Sequence, residues 1–253
     1  KVQNVQCGLC GNHCQMTVSV FQDGKRFITG NRCDRPVTGK SNDDSLNLYA
    51  YKQQQLSQLM KNPGTGTRGK IGIPMVLNMY ELLPFWHAFF TNLGFQVIVS
   101  PFSNRKLYQA GQGSIPSDTV CFPAKLTHGH IMALLKKDVD AIFYPCMSYN
   151  IDEGLGDNHY NCPVVAYYPE VLAGNIRELE DTKFIYEYLN LEQRKDFVRL
   201  MPKIMQKYYP DLKTSDIHNA IEVAYTAYRK HMEDTRKEAE RMMTEARNEG
   251  KRI

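Results

Sequence analysis

The sequence predicts a doubly wound, mostly parallel α/β domain, preceded by a small cysteine-rich β-hairpin unit and followed by a long C-terminal helix. From about residue 70 onward, short apolar runs bounded by Gly and Pro alternate with helix-period segments, a pattern that buries a parallel sheet between two helical layers. Four cysteines crowd the first 33 residues around a hairpin signal. Residues 214–249 carry Glu, Lys and Arg at helical spacing, without a sustained apolar heptad after Tyr228, so the reading is an exposed, solvated helix and not a coiled coil.

In chain order, residues 1–40 form the hairpin unit: Met16–Phe21 and Arg26–Thr29 are β-rich and flank Gln22-Asp23-Gly24-Lys25. Residues 41–69 hold a short helix (45–61) and the linker Asn62–Gly69, with a domain boundary near residue 68. Residues 70–190 form the α/β domain. Its strands are Ile71–Leu77, Phe95–Val99, Ala141–Tyr144, Val164–Tyr167 and Lys183–Tyr186; its helices are Pro84–Leu93 (closed by Gly94), Arg105–Ala110, Lys125–Lys137 and Pro169–Asn175. Residues 191–253 hold two helices, 191–209 and 214–249, and lead toward a further domain.

Composition bounds the function classes. A 253-residue chain with 42% hydrophobic residues buries a sizeable core. A formal charge of +4, with acidic and basic residues interleaved, argues against a nucleic-acid partner. No apolar run reaches about 18 residues and no signal-peptide core opens the chain, so a cytoplasmic protein without membrane spans is expected. The missing initiator Met reads as a segment cut from something longer. No P-loop, dinucleotide fingerprint or Ser-His-Asp arrangement is present, and Gly64-Thr65-Gly66 belongs to the linker. The sequence therefore offers no conventional acid–base or nucleophilic centre.

Chemistry concentrates in the seven cysteines. Cys7-x2-Cys10-x3-Cys14 places three thiols too close to pair as disulfides without strain, and Cys33 returns beyond the hairpin. Gly8 and Gly11 permit the turn that points sulfurs inward, so Cys7, Cys10, Cys14 and Cys33 are read as one metal site that fixes a segment too small for its own core. Zinc and a [4Fe–4S] cluster both accept four thiolates. The spacing resembles the [4Fe–4S] segment that opens molybdopterin oxidoreductases more than the paired knuckles of zinc ribbons.

Cys121 precedes a predicted helix, Cys146 follows the strand Ala141–Tyr144, and Cys162 ends a polar loop. Each sits in a Pro-punctuated turn and not within an apolar run, a placement typical of sites. Loops beyond the carboxyl ends of parallel strands line the ligand crevice, where these three thiols could converge to suit a second cluster; the competing reading is three separate, small buried core thiols. His128, His130 and His159 are candidates for the same crevice; a core or surface role is the competing reading.

A wider set of residues then carries a resemblance: Gly72–Glu81, Pro84-Phe85-Trp86, Pro116–Cys121, Ala124-Lys125-Leu126, His128-Gly129-His130, Phe143–Cys146 and Asp157–Cys162. Over roughly residues 5–175 the chain resembles the activase-related component of the 2-hydroxyacyl-CoA dehydratase and benzoyl-CoA reductase group. The resemblance implies a dehydratase-subunit-like fold in which Cys121, Cys146 and Cys162 are cluster ligands. It also implies partners: an activase ATPase, fused or associated, that delivers low-potential electrons, a second dehydratase-like domain, and an acyl-CoA or other small substrate. The four-cysteine unit is not part of the ordinary dehydratase subunit and is left as an electron relay or a structural clasp. The competing function is a non-catalytic scaffold with structural zinc.

Overall fold

A computed structural model describes residues 1–9, 13–38, 46–154 and 156–250. Its contacts divide the chain into two compact units, Lys1–Tyr51 with Lys237–Ile253, and Lys52–Arg236. Among the described residues, no helix is long and apolar enough to cross a membrane.

The first unit contains a three-stranded antiparallel sheet, β1 (Val2–Gln6), β2 (Gln15–Val20) and β3 (Arg26–Thr29), in the order β1-β2-β3. The β2–β3 turn runs through Asp23 and Gly24, whose φ of 80° is the left-handed conformation that glycine adopts without penalty. Only β2 contributes buried strand residues, Met16 and Val18 at alternate positions, as a half-buried sheet requires. The short helix α1 (Arg35–Thr38) follows the sheet.

The remaining elements are α2 (Leu48–Lys61), β4 (Lys70–Ile73), α3 (Asn78–Glu81), α4 (Leu83–Asn92), β5 (Gln96–Val99), α5 (Arg105–Gly111), α6 (Phe122–Leu135), β6 (Ala141–Phe143), β7 (Cys146–Met147), α7 (Pro163–Asn175), β8 (Lys183–Ile185), β9 (Tyr188–Leu189), α8 (Arg194–Tyr208) and α9 (Thr214–Gly250). Strands β5-β4-β6-β8 form a four-stranded sheet, parallel at every pairing. A second parallel pair, β7 with β9, sets Cys146 opposite Tyr188.

Adjacent residues of β6 face opposite layers. Phe143 meets Trp86 of α4 with ring centroids 4.6 Å apart, whereas Ile142 lies beside Gly72 and, with it, Leu134 of α6. One layer thus contains α4, and Phe197 of α8 and Tyr225 of α9 pack edge-on to Phe85 of that helix. Trp86, Phe85, Phe89 and Phe90 are fully buried, and fully burying a side chain of this size stabilises the fold by roughly 1.5–3 kcal/mol. The other layer contains α5 and α6, which touch backbone to backbone: a Cβ on Gly129 would lie 2.1 Å from the Leu107 carbonyl oxygen.

One sequence expectation is corrected. Val164–Tyr167 is not a strand; it lies inside α7, which runs from Pro163 to Asn175. Val164 and Val165 favour a strand locally, but Pro163 stands where a helix start tolerates it, and Ala166, Pro169 and Leu172 are buried at a spacing of three.

Backbone contact at Gly129 leaves no room for a methyl group. Gly129→Ala is expected to lower stability by about 3 kcal/mol, whereas Gly113→Ala, with open space at its Cβ, is expected to stay within about 0.5 kcal/mol. Urea unfolding midpoints of the two variants check this, and equal midpoints contradict the close packing.

Candidate functional site

The sheet order reverses direction at β4, because the chain passes first to β5 on one side and then to β6 on the other. The crevice beyond the carboxyl ends of β4 and β6 is therefore the topological switch point, where open α/β sheets bind ligands. A helix that leads into a parallel strand runs antiparallel to it, so its N-terminus lies at the strands' carboxyl edge. That rule places both Cys121, the N-cap of α6, and Cys162, the N-cap of α7, on this edge. Cys146 lies there too, three residues beyond β6. Had 164–167 been a strand, Cys162 would stand at the opposite edge.

The three thiols differ in environment. Cys121 and Cys162 are exposed, and the Cys162 Sγ accepts from the Val165 N–H at 3.5 Å. Cys146 is fully buried, and its N–H donates to the Glu187 carbonyl at 3.1 Å. Burial, aided by the carboxylates of Glu170 and Glu187, pushes its thiol up to about 12.

Two buried tyrosines lie near these thiols. Burial first, then Cys146 and Tyr168, hold the Tyr144 phenol well above its ordinary range, and its hydroxyl has no hydrogen-bond partner among the described residues. Burial and then Cys121 raise the Tyr168 phenol. On the loop after β4, Leu77 takes φ 50°, and Asn78, the first residue of α3, is buried, with its Oδ1 unpartnered among the described residues and its Nδ2 donating to the Met147 sulfur at 3.5 Å. Strained backbone of this kind gathers at functional sites. Sequence reading missed Tyr144, Tyr168 and Asn78, because a buried polar group with no partner becomes visible only once its neighbours are known.

The structure places His128 and His130 in the interior of α6, fully buried. His128 bonds Ser114 Oγ through Nδ1 at 2.8 Å and the Tyr168 hydroxyl through Nε2 at 3.0 Å. Since Ser114 donates its own proton to the Gly111 carbonyl, its oxygen accepts from Nδ1–H, and Nε2 accepts from Tyr168. His130 bonds Ser100 Oγ at 2.6 Å and Ser103 Oγ at 3.0 Å, and Ser100 also accepts from the Met75 N–H. It thereby ties the loops that leave β4 and β5. Burial lowers both imidazoles to about 4.

His159 stands apart from this network. It contacts Asp152 at 3.1 Å and Glu192 at 3.2 Å; the Glu192 hydrogen bond raises its pKa. With Asn158, Glu153 and Glu81 it lines a cleft of about 410 Å³ against Tyr228 and Met232. Within the loop, Asn158 accepts from the Tyr160 N–H, and Asn161 bridges to the Met147 carbonyl, so both amides act as loop braces.

In the first unit, the Cys7 N–H donates to the Cys14 carbonyl at 2.8 Å, closing the loop that both cysteines flank. Arg35 Nη1 donates to the Leu9 carbonyl at 3.4 Å and brings the Cys33 segment onto that loop. Cys7 is buried, Cys14 half-buried and Cys33 exposed; Cys10, the fourth residue of the expected set, lies outside the described residues. Arg35 Nε is buried with no hydrogen-bond partner among the described residues, and Cys7, Cys14 and Cys33 are not gathered into a metal-holding group. Among the described residues, no three or more His, Cys, Asp or Glu side chains form a metal-holding group, and Cys121, Cys146 and Cys162 are not gathered into one.

A protein family described as CoA enzyme activase uncharacterised domain matches residues 70–253. Searches of curated proteins and of solved structures found no match.

Histidines held neutral by burial have a definite pH signature. Unfolded, each takes up a proton below about 6.5; folded, each stays neutral down to about 4. Their contribution to stability is fully present above 6.5 and is lost as pH falls toward 4. Stability should decline between pH 7 and 5, and His130→Gln should remove up to about 1.4 kcal/mol per pH unit from that slope. Urea titrations at stepped pH measure it; an unchanged slope contradicts the buried neutral state.

Proposed function

The chain belongs to the CoA enzyme activase uncharacterised-domain family, and from that premise we propose that it is the iron–sulfur redox module of an ATP-dependent 2-hydroxyacyl-CoA dehydratase or reductase-like system. In this reading it takes low-potential electrons from an activase ATPase and works with dehydratase-type partners on an acyl-CoA or similar small substrate. The supporting observation is topological: Cys121, Cys146 and Cys162, far apart in sequence, all stand at the carboxyl edge of one parallel sheet.

A [4Fe–4S] cluster, when bound, supplies one-electron chemistry at a potential set by hydrogen bonding and burial. Cys121, Cys146 and Cys162 would hold one such cluster, and Cys7, Cys10, Cys14 and Cys33 a second group acting as relay or clasp. The three thiols are not gathered into a metal-holding group, so holding a cluster requires the loops that carry them to move together. Cys146, buried near Glu170 and Glu187, gives up its proton only to a strong competitor such as a metal. Tyr144 and Asn78 supply buried, unpartnered polar atoms near that edge, able to hydrogen-bond sulfur or substrate.

The same raised Cys146 thiol favours a second reading, in which the α/β domain is a scaffold, Cys146 a buried core thiol and the first cysteine set a structural zinc site.

Anaerobic iron, sulfide and zinc analysis separates the two. The redox reading expects about four irons per cluster with matching sulfide and absorption near about 400 nm; Cys146→Ser and Cys10→Ser each remove one cluster's share. About one zinc per chain and no iron after reconstitution overturns it in favour of the scaffold.

A further inference from the structure

A groove of about 310 Å³ opens beyond the carboxyl end of β5, lined by Ser103, Asn104, Arg105, Tyr108, Phe122 and Leu126. Its wall is aromatic: Phe122 is 58% exposed and packs against Tyr108 with ring centroids 5.2 Å apart. A large ring left this open at a groove offers its free surface to a ligand. Asn104 is committed to the backbone, its Oδ1 accepting from the Leu107 N–H at 3.0 Å and its Nδ2 donating to the Phe102 carbonyl at 3.2 Å. The polar groups left for a ligand are the Ser103 and Tyr108 hydroxyls and the Arg105 guanidinium, which has no carboxylate partner among the described residues.

The hydrogen bonds behind Ser103 decide where its proton points. Ser100, fully buried, accepts from the Met75 N–H at 2.7 Å and bonds His130 Nδ1 at 2.6 Å, while Nε2 of the same ring bonds Ser103 Oγ at 3.0 Å. A neutral imidazole carries one N–H. Were that proton on Nδ1, the Ser100 hydroxyl would be buried with no acceptor among the described residues, a costly arrangement. Ser100 therefore donates to Nδ1, Nε2–H donates to Ser103, and the exposed Ser103 hydroxyl keeps a proton to give outward.

The groove thus meets a ligand with donors and a positive charge on one side and apolar surface on the other. A nucleobase needs acceptors as well as donors along its edge, and Phe122 and Leu126 supply neither. An acceptor-only anion on an apolar body matches what is present. We propose that this groove binds a small aromatic carboxylate, the carboxylate taking hydrogen bonds from Arg105 and Ser103 and the ring lying against Phe122 and Tyr108. The inference uses none of the cysteines and does not depend on iron.

Sodium benzoate is the probe, titrated into the full chain and followed by saturation-transfer NMR, with benzamide, acetate and AMP as comparisons. Saturable benzoate binding is expected, weakened about tenfold by Arg105→Gln and about fivefold by Ser103→Ala. Arg105 is exposed, so Arg105→Gln should leave the unfolding midpoint unchanged. Benzamide, with the ring and no charge, and acetate, with the charge and no ring, should each bind about tenfold more weakly than benzoate or worse. Equal benzoate affinity in wild type and Arg105→Gln, or no saturable binding by the folded wild type, overturns the proposal. Benzamide matching benzoate overturns the anion contact, and acetate matching it overturns the ring contact. Tighter binding of AMP that Phe122→Ala abolishes makes the groove a nucleotide site and overturns the carboxylate assignment.

Discussion

Parallel strand pairing is the constraint from which the rest of the second unit follows. Strands β4, β5, β6 and β8 run the same way, so each connection must cross back over the sheet, and the helices that do so start at the strands' carboxyl edge. The layers they form are held by two contrasting contacts: an aromatic cluster around Trp86 on one face, and a glycine-mediated backbone approach between α5 and α6 on the other. The edge so defined is where Cys121, Cys146 and Cys162 stand, where Leu77 is strained, and where Tyr144 and Asn78 keep buried polar atoms without partners. Family membership, which concerns residues 70–253, covers this whole arrangement.

Much of this architecture was legible in the sequence, because strong periodicity and punctuation agree with one another. Ile71, Gly72 and Ile73 form a continuous buried run as a central parallel strand should, and Gly94 closes its helix with a positive φ. The reading failed where local preference and tertiary packing disagree. Val164 and Val165 look like a strand, yet Pro163 and the buried Ala166, Pro169 and Leu172 belong to a helix. Strand β1 carried no signal, because all five of its residues are exposed and no alternation exists to be read. The β7–β9 pair is too short for periodicity to act.

The candidate site was legible at the level of residue type and not of environment. The cysteines stand out by spacing and by turn context, but nothing local distinguishes the buried Cys146 from the exposed Cys121 and Cys162. His128 and His130 present the same difficulty. Their hydrogen-bond partners, Ser100, Ser103, Ser114 and Tyr168, lie up to 40 residues away, and only the fold joins them into the network that braces the carboxyl edge.

The proposed iron–sulfur cluster at the sheet's carboxyl edge would be held by Cys121, Cys146 and Cys162. X-ray absorption at the iron edge tests it most directly on a chain in which Cys7, Cys10, Cys14 and Cys33 are all replaced by Ser and which is reconstituted anaerobically. Retained iron with both sulfur and iron neighbours is the predicted result. A folded chain that takes up no iron, or binds it without iron neighbours, contradicts the claim.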